Sequence, residues 1–150
     1  MIKVLFICYG NICRSVSAQY IMQQLIDEQA ENAIAVDSAA TSTEEIGNEI
    51  YPPMQLVLER HGVPVGDHYA RQVRKSDYDE FDLIIAMDDE NMRGIERIMG
   101  GDPDGKIHYL MEYTDDPDAE IEDPWYSRDF EKAYRDIRRG CEGLFRQLEG

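Results

Sequence analysis

The sequence predicts a single α/β domain, spanning 1–150, built on a four-stranded parallel twisted sheet with helices on both faces. Three observations carry that expectation. Four short apolar runs, at 2–8, 33–39, 83–87 and 106–110, alternate with longer segments of helical spacing, as strand–helix units do. The first and third runs are continuously apolar rather than alternating, which suits strands covered on both sides. The chain has 150 residues, 43% of them apolar, enough interior for one domain to fold unaided.

The elements follow in order. IKVLFIC (2–8) is a buried strand bounded by Gly10. From Arg14 onward Ala18, Ile21, Met22, Leu25 and Ile26 recur at helical spacing to about residue 30. AIAVDSA (33–39) reads as the second strand, and the polar stretch TSTEEIGNEIY (41–51) as a loop. Pro52 and Pro53 suit the first turn of a helix that ends at His61-Gly62, Gly62 being favourable just past a helix end. Ser76 is expected to cap a short helix in SDYDEF, with Asp79 completing a capping box. LIIAM (83–87) is the third strand, followed by a helix over 89–98 that stops at Gly100-Gly101, and KIHYL (106–110) is the fourth. The acidic loop MEYTDDPDAEIEDPWYS leads to a last helix. Its apolar stripe is Phe130, Ala133, Tyr134, Ile137, Cys141, Leu144 and Leu148.

Charge narrows the partners. There are 31 acidic and 15 basic residues, a formal net charge of −16. Such a chain repels nucleic acid and anionic lipid, whose binding needs clustered Lys and Arg. Any anionic ligand must be held by a local positive field strong enough to overcome the global one. The apolar run near the N-terminus is about six residues, too short for a signal peptide, and no segment approaches the roughly 18 apolar residues of a membrane span. A cytoplasmic location is the expectation. Three cysteines make an odd count against a disulfide framework. Cys8 and Cys13 lack zinc-ligand spacing, His61, His68 and His108 are scattered, and Cys141 falls on the apolar face of the last helix. No metal and no cofactor is expected.

In open parallel sheets ligands bind beyond the carboxyl ends of strands, where a loop feeds a helix. Here the first such loop is CYGNICRS (8–15). Gly10 and Asn11 tolerate positive φ, so the backbone N–H groups of Tyr9, Gly10, Asn11, Ile12 and Cys13 can curl inward. The helix beginning near Arg14 adds unpaired N–H groups and the positive end of its dipole. Together these cradle a tetrahedral dianion, making this a phosphate-binding loop between first strand and first helix. The Arg14 guanidinium can grip two phosphate oxygens at once. Cys8 lies at the floor, where the same field stabilises a thiolate and Ser15 can donate to the sulfur. A thiolate so placed can attack phosphorus. The departing oxygen then needs a proton donor. Of the acids in the late loop, Asp123 stands out because Pro124 stiffens the chain and Trp125 and Tyr126 can wall a slot for an aryl group, or anchor the loop to the last helix.

With both pieces in hand, the chain resembles the low-molecular-weight protein tyrosine phosphatases. The resemblance rests on CYGNICRS and DPWY, with VDSAATS, HGV, HYARQV and FDLIIAMDDEN between them in the family's order. It implies that Cys8 is the nucleophile, Arg14 the phosphate clamp, and Asp123 the acid and then the base for the hydrolytic water. It further implies that Asn11 holds the loop's shape, supported by Ser38 and His68, that Ser15 assists the thiolate, and that Cys13 can form a reversible disulfide with Cys8. Three positions depart from the family's habit. Val16 stands where Pro is usual, Tyr9 where an aliphatic residue is common, and Glu44 where many members place an aromatic wall residue. An acid at the slot's rim disfavours acidic residues flanking the phosphorylated one. The implied substrate is a phosphotyrosine-containing protein, a tyrosine kinase among the candidates, and the implied state a monomer.

Other readings fit the same cradle. Arsenate reductases share it but relay a disulfide through further cysteines, and no cysteine lies between Cys13 and Cys141. Protein-arginine phosphatases of the family tend to carry Thr where this chain has Ile12. A non-catalytic phosphate-binding module leaves Cys8 and Asp123 without a task.

Overall fold

The computed structural model describes residues 1–29 and 33–149. Four parallel strands, β1 (Ile2–Cys8), β2 (Ile34–Ala40), β3 (Leu83–Ala86) and β4 (Ile107–Tyr109), form one sheet in the order β2-β1-β3-β4. β1 is therefore central, and alternation along it splits the core in two. Val4, Phe6 and Cys8 face a layer containing Ile21, Met22, Ile137 and Leu144, while Leu5 and Ile7 face one containing Phe81, Ile95 and Met99. Burial on both faces is why the run is apolar without interruption. The second strand is less so because Val36, Asp37 and Ser38 remain only partly covered or pair with polar neighbours at the sheet edge.

Among the described residues six helices cover the sheet: α1 (Arg14–Glu28), α2 (Pro52–Arg60), α3 (Asp77–Glu80), α4 (Asp89–Met99), α5 (Pro124–Ser127) and α6 (Phe130–Glu149). Residue 30, to which the helical spacing after Arg14 extends, lies outside the described residues. Pro52 and Pro53 open α2. Gly62 and Gly100, at φ 72° and 79°, follow the ends of α2 and α4 in the left-handed region. Cys141 is fully buried in the α6 stripe, with Ala133, Tyr134, Ile137 and Leu144.

The expected cap at Ser76 is not made. Its side chain forms no capping bond; instead the buried Asp77 accepts from the Arg74 backbone N–H at 2.7 Å and pairs with Arg71. The carboxylate one residue on can reach both a backbone donor and a guanidinium, which a hydroxyl cannot match.

The acidic loop carries more structure than its composition suggests. A 3-10 turn at Leu110–Tyr113 follows β4 directly, and α5 interrupts the loop's far end. α6 lies so close to the 3-10 turn that a Cβ on Gly143 would sit 1.9 Å from the Tyr113 carbonyl oxygen. That contact requires glycine and ties the root of the loop to the last helix.

Strand order reverses direction between β1 and β3, since the chain goes from β1 outward to β2 and then returns to the other side. At such a switch point the loops leaving two adjacent strands diverge and open a crevice at their carboxyl ends. Two junctions meet there: 8–15 after β1, and Met87-Asp88 after β3.

Candidate active site

Cys8 ends β1 with its sulfur at the centre of the 8–15 arc. The Sγ accepts from the Asn11 N–H at 3.3 Å and the Ser15 N–H at 3.4 Å, and lies 3.0 Å from Ser15 Oγ. Asn11 Nδ2 donates to that same hydroxyl oxygen at 2.8 Å, leaving the Ser15 proton free for the sulfur. The first turn of α1 has neither a side-chain cap nor an acidic residue, so its donors and dipole act on the pocket unopposed.

The arc closes because Asn11 adopts φ 60°. Asparagine tolerates the left-handed region better than other residues with a side chain, and three contacts hold it there. Its Oδ1 accepts from the Arg71 N–H at 3.2 Å, its Nδ2 reaches Ser15, and its carbonyl lies 2.7 Å from His68 Nε2. A carbonyl only accepts, so His68 carries its proton on Nε2. Burial lowers the His68 pKa, which keeps the ring neutral. Ser38, the other expected support, does not reach Asn11: its hydroxyl donates to Gln19 Oε1 at 2.5 Å and so braces β2 against α1. Arg71 takes its place. The Arg71 guanidinium is fixed between Asp77 at 3.1 Å and Asp37 at 3.2 Å, so the backbone N–H offered to Asn11 comes from a pinned residue.

Arg14 is 2% exposed and points across the crevice. Its Nη1 donates to Asp88 Oδ2 at 2.7 Å and to the Ile121 carbonyl at 2.9 Å. Nη2 lies 3.4 Å from Asp123 Oδ2. Burial works against the guanidinium's charge, but Cys8, Asp88 and Asp123 more than offset it and hold the group firmly protonated. With Nη1 occupied, the Nε and Nη2 edge remains to face an anion in the loop.

Asp123 caps α5, accepting from the Trp125 N–H at 3.0 Å through Oδ1, which leaves Oδ2 facing Arg14 and the pocket. The pocket walls also include Tyr9, Gly10, Ile12 and Cys13 from the arc, Glu44 and Glu45 from the loop after β2, and Trp125 and Tyr126. Trp125 lines the slot and packs on Tyr51 of the α2 entry at a centroid distance of 4.9 Å, so the ring anchors the loop to the α2 entry rather than to the last helix. Tyr51 also touches Phe130 at the start of α6. The remaining acids of the late loop, Asp115, Asp116 and Asp118 included, lie outside this pocket.

Cys13 shares the pocket but differs chemically from Cys8. Burial, and then the proximity of Cys8 and Asp123, push its thiol far up, so it stays protonated. All three cysteines are free. Among the described residues, no group of three or more His, Cys, Asp or Glu side chains is arranged to hold a metal ion.

Asp88, Arg71, Asp37 and Asp77 were not singled out in the sequence. Asp88 had a usable signal: an aspartate after an apolar strand and before a helix is a cap, and the cap of a strand-end helix faces the crevice. The Arg71 triad had none, since its three members are brought together by the return of the 68–73 segment along the end of β2.

A buried sulfur that accepts from two amide N–H groups shares this pocket with a buried guanidinium and a carboxylate, the donor set that thiol-dependent oxyanion transfer requires. The family model described as low molecular weight phosphotyrosine protein phosphatase matches residues 3–150, and the chain belongs to that family. It is 39% identical over 151 residues to the low molecular weight protein-tyrosine-phosphatase YfkJ of Bacillus subtilis, covering 99% of this chain and 97% of that one. The low molecular weight phosphotyrosine protein phosphatase of Gallus gallus is 42% identical over 147 residues, 95% of this chain and 92% of its own. The crystal structure of YfkJ matches with a TM-score of 0.95 over 99% of this chain and 95% of that one, at 38% identity. A Drosophila arginine phosphatase, DARP, matches at 0.90 and 31% identity over 99% of both chains.

Proposed function

We propose that this protein hydrolyses phosphotyrosine in proteins, and small aryl phosphates, through a cysteinyl-phosphate. The Cys8 thiolate attacks phosphorus in line with the phenolic oxygen. The arc's N–H groups and the free edge of Arg14 stabilise the three equatorial oxygens. The Asp123 carboxylic acid protonates the departing phenolic oxygen. Asp123, now a carboxylate, takes a proton from water as that water attacks the phosphorus, the S–P bond breaks and inorganic phosphate leaves. The observation that carries this reading is the convergence of Ser15, two arc N–H groups, Arg14 and Asp123 around one sulfur and its pocket.

The pocket favours an aryl ester. Ile12, Trp125 and Tyr126 offer apolar and aromatic wall against which the ring of an aryl ester can pack. Because the fold match to an arginine phosphatase is also close, substrate class rests on these walls rather than on the architecture.

Purified protein is expected to hydrolyse an aryl phosphate in the presence of a chelator, and Cys8→Ser or Arg14→Ala to abolish turnover. Full activity in Cys8→Ser would overturn the nucleophile assignment. Asp123→Asn is expected to slow esters with poor leaving groups far more than good ones. A panel of phosphotyrosine, phosphoserine and phosphoarginine peptides separates the substrate classes, and a preference for phosphoarginine would replace the reading. Peroxide, by oxidising Cys8 to a sulfenic acid that condenses with the Cys13 thiol and releases water, is expected to inactivate reversibly. Equal recovery in Cys13→Ser would remove that role. The free thiols suit a reducing compartment, and the protein is assigned to the cytosol, acting as a monomer on phosphotyrosine proteins, tyrosine kinases among them.

A further inference from the structure

The mouth of the catalytic pocket opens onto a second groove. The two share Ile12, Glu45 and Trp125 as walls, and the groove continues over Glu49, Tyr51 and Tyr69. Six large apolar side chains are strongly exposed among the described residues, and four belong to the segments that frame this mouth: Ile46 (54%), Tyr69 (62%), Trp125 (45%) and Tyr126 (81%). Single exposed apolar groups are ordinary on a protein surface, but most of them gathered at one opening mark a contact face. The charged side chains that line the groove itself are acidic. Glu44, Glu45 and Glu49 stand along the face, and none has a cationic side chain within 4.0 Å among the described residues. Carboxylates beside exposed aromatic faces suit a guanidinium or ammonium. The same aromatic cluster already holds one guanidinium: Arg128 lies over the rings of Tyr51 and Phe130 at 5.5 and 5.2 Å and donates to the Tyr51 hydroxyl at 3.2 Å.

We infer that this groove seats the part of the substrate flanking the phosphotyrosine and selects a lysine or arginine there. The inference rests on the phosphatase reading above and names the substrate class for it. Its physical logic is compensation. A phosphorylated segment is anionic, and this chain carries a net charge of −16, so the global field opposes its approach. A flanking cation that settles against Glu45 and Glu49 offsets that repulsion at the one place where the phosphate must enter. An acidic flanking residue meets the same carboxylates and is rejected.

The test measures kcat/KM on phosphotyrosine peptides in which a single arginine is moved through the positions flanking the phosphorylated residue, against a small aryl phosphate with no flanks. The wild-type protein is expected to prefer one or two arginine positions by roughly 2- to 5-fold, the upper part of the range that exposed charge pairs reach. Glu49→Gln is expected to remove most of that preference and Glu49→Lys to invert it, while both hydrolyse the small ester within about twofold of wild type. Tyr69→Ala, which removes an exposed ring, is expected to weaken the same peptides. Glu28→Gln, at the far end of α1, serves as a control for the global field. Equal effects of Glu49→Gln and Glu28→Gln, or no dependence on arginine position, would overturn the groove while leaving the phosphatase reading intact. Failure to hydrolyse the small ester as well would remove the reading beneath it.

Discussion

The two junctions that meet at the switch point can be set side by side. After β1 the chain runs through residues 9–13 before α1 begins, and the residue at the head of that helix, Cys13, forms no capping bond. After β3 only Met87 and Asp88 intervene, and Asp88 caps α4 at once, accepting from the Asn91 N–H at 2.8 Å, with Asp89 and Glu90 in the first turn. The first junction places a cation, Arg14, where helices usually place an acid; the second follows the ordinary rule. The consequence is a division of labour. Donors left unsatisfied by the protein are available to a ligand, so the uncapped helix is the binding end. The capped helix satisfies itself and turns its spare oxygen on the cation of its neighbour, through Asp88 Oδ2 and Arg14 Nη1. On the phosphatase reading proposed above, a helix start that would be a defect elsewhere becomes functional, because an anion completes it.

The largest expected effect comes from the clamp. Arg14→Lys keeps the charge but loses the fork that grips Asp88 and the anion at the same time, and kcat is expected to fall on the order of 10²–10³-fold, as when an oxyanion donor is removed. A rate near wild type would mean that charge alone suffices. Next comes the brace. Asp88→Asn keeps an oxygen for the cap but loses the ion pair, whereas Asp88→Ala loses both. Both are expected to lower kcat by about tenfold or more by freeing a guanidinium that must be held, and thermal or urea unfolding should place the Ala variant about 1 kcal/mol below the Asn variant, the worth of a cap. Equal stabilities would mean the cap is idle.

A smaller effect tests the arc's shape. Asn11→Ala loses the side-chain bonds and meets the left-handed backbone penalty. Asn11→Gly loses only the bonds, and should be more stable than Ala by about 1–2 kcal/mol, with inorganic phosphate binding following the same order. The smallest effect is one of pH. His68 is neutral while it donates to Asn11, and its pKa is lowered by burial. Lowered in the folded state, it binds fewer protons there than in the unfolded chain, so stability rises with pH through that window. The His68 contribution is complete above the unfolded value of about 6.5 and is lost as pH falls below it. Melting temperatures across that range should therefore fall less steeply on the acid side in His68→Gln, and identical slopes would show that His68 stays uncoupled from folding.

Much of the fold was written locally. Runs such as 2–8 and 83–87 have one way to be buried on both faces, and Pro52, Gly62 and Gly100 punctuate their helices through backbone geometry that no neighbour needs to supply. The nucleophile and clamp were legible for the same reason, because a strand end, a tight arc and a helix start are contiguous in sequence. Ser76 misled because a hydroxyl before an acidic turn is a local signal, and Asp77 outcompeted it by pairing with Arg71. The bracing of Arg14 by Asp88 and Ile121, and of Asn11 by Arg71 and His68, joins segments 57 to 107 residues apart, and no spacing rule spans such distances.

By itself, then, the amino-acid order determined the strands, the α1 start and the reactive turn, since each depends on contacts within a few residues. Only tertiary packing decided which supports hold that turn, how the Asp123 carboxylate comes to face Arg14, and that acidic and aromatic walls extend the mouth into a groove. Hydrogen-bond partners and charges across a crevice are chosen by proximity in space, and proximity in space is what the folded sheet supplies.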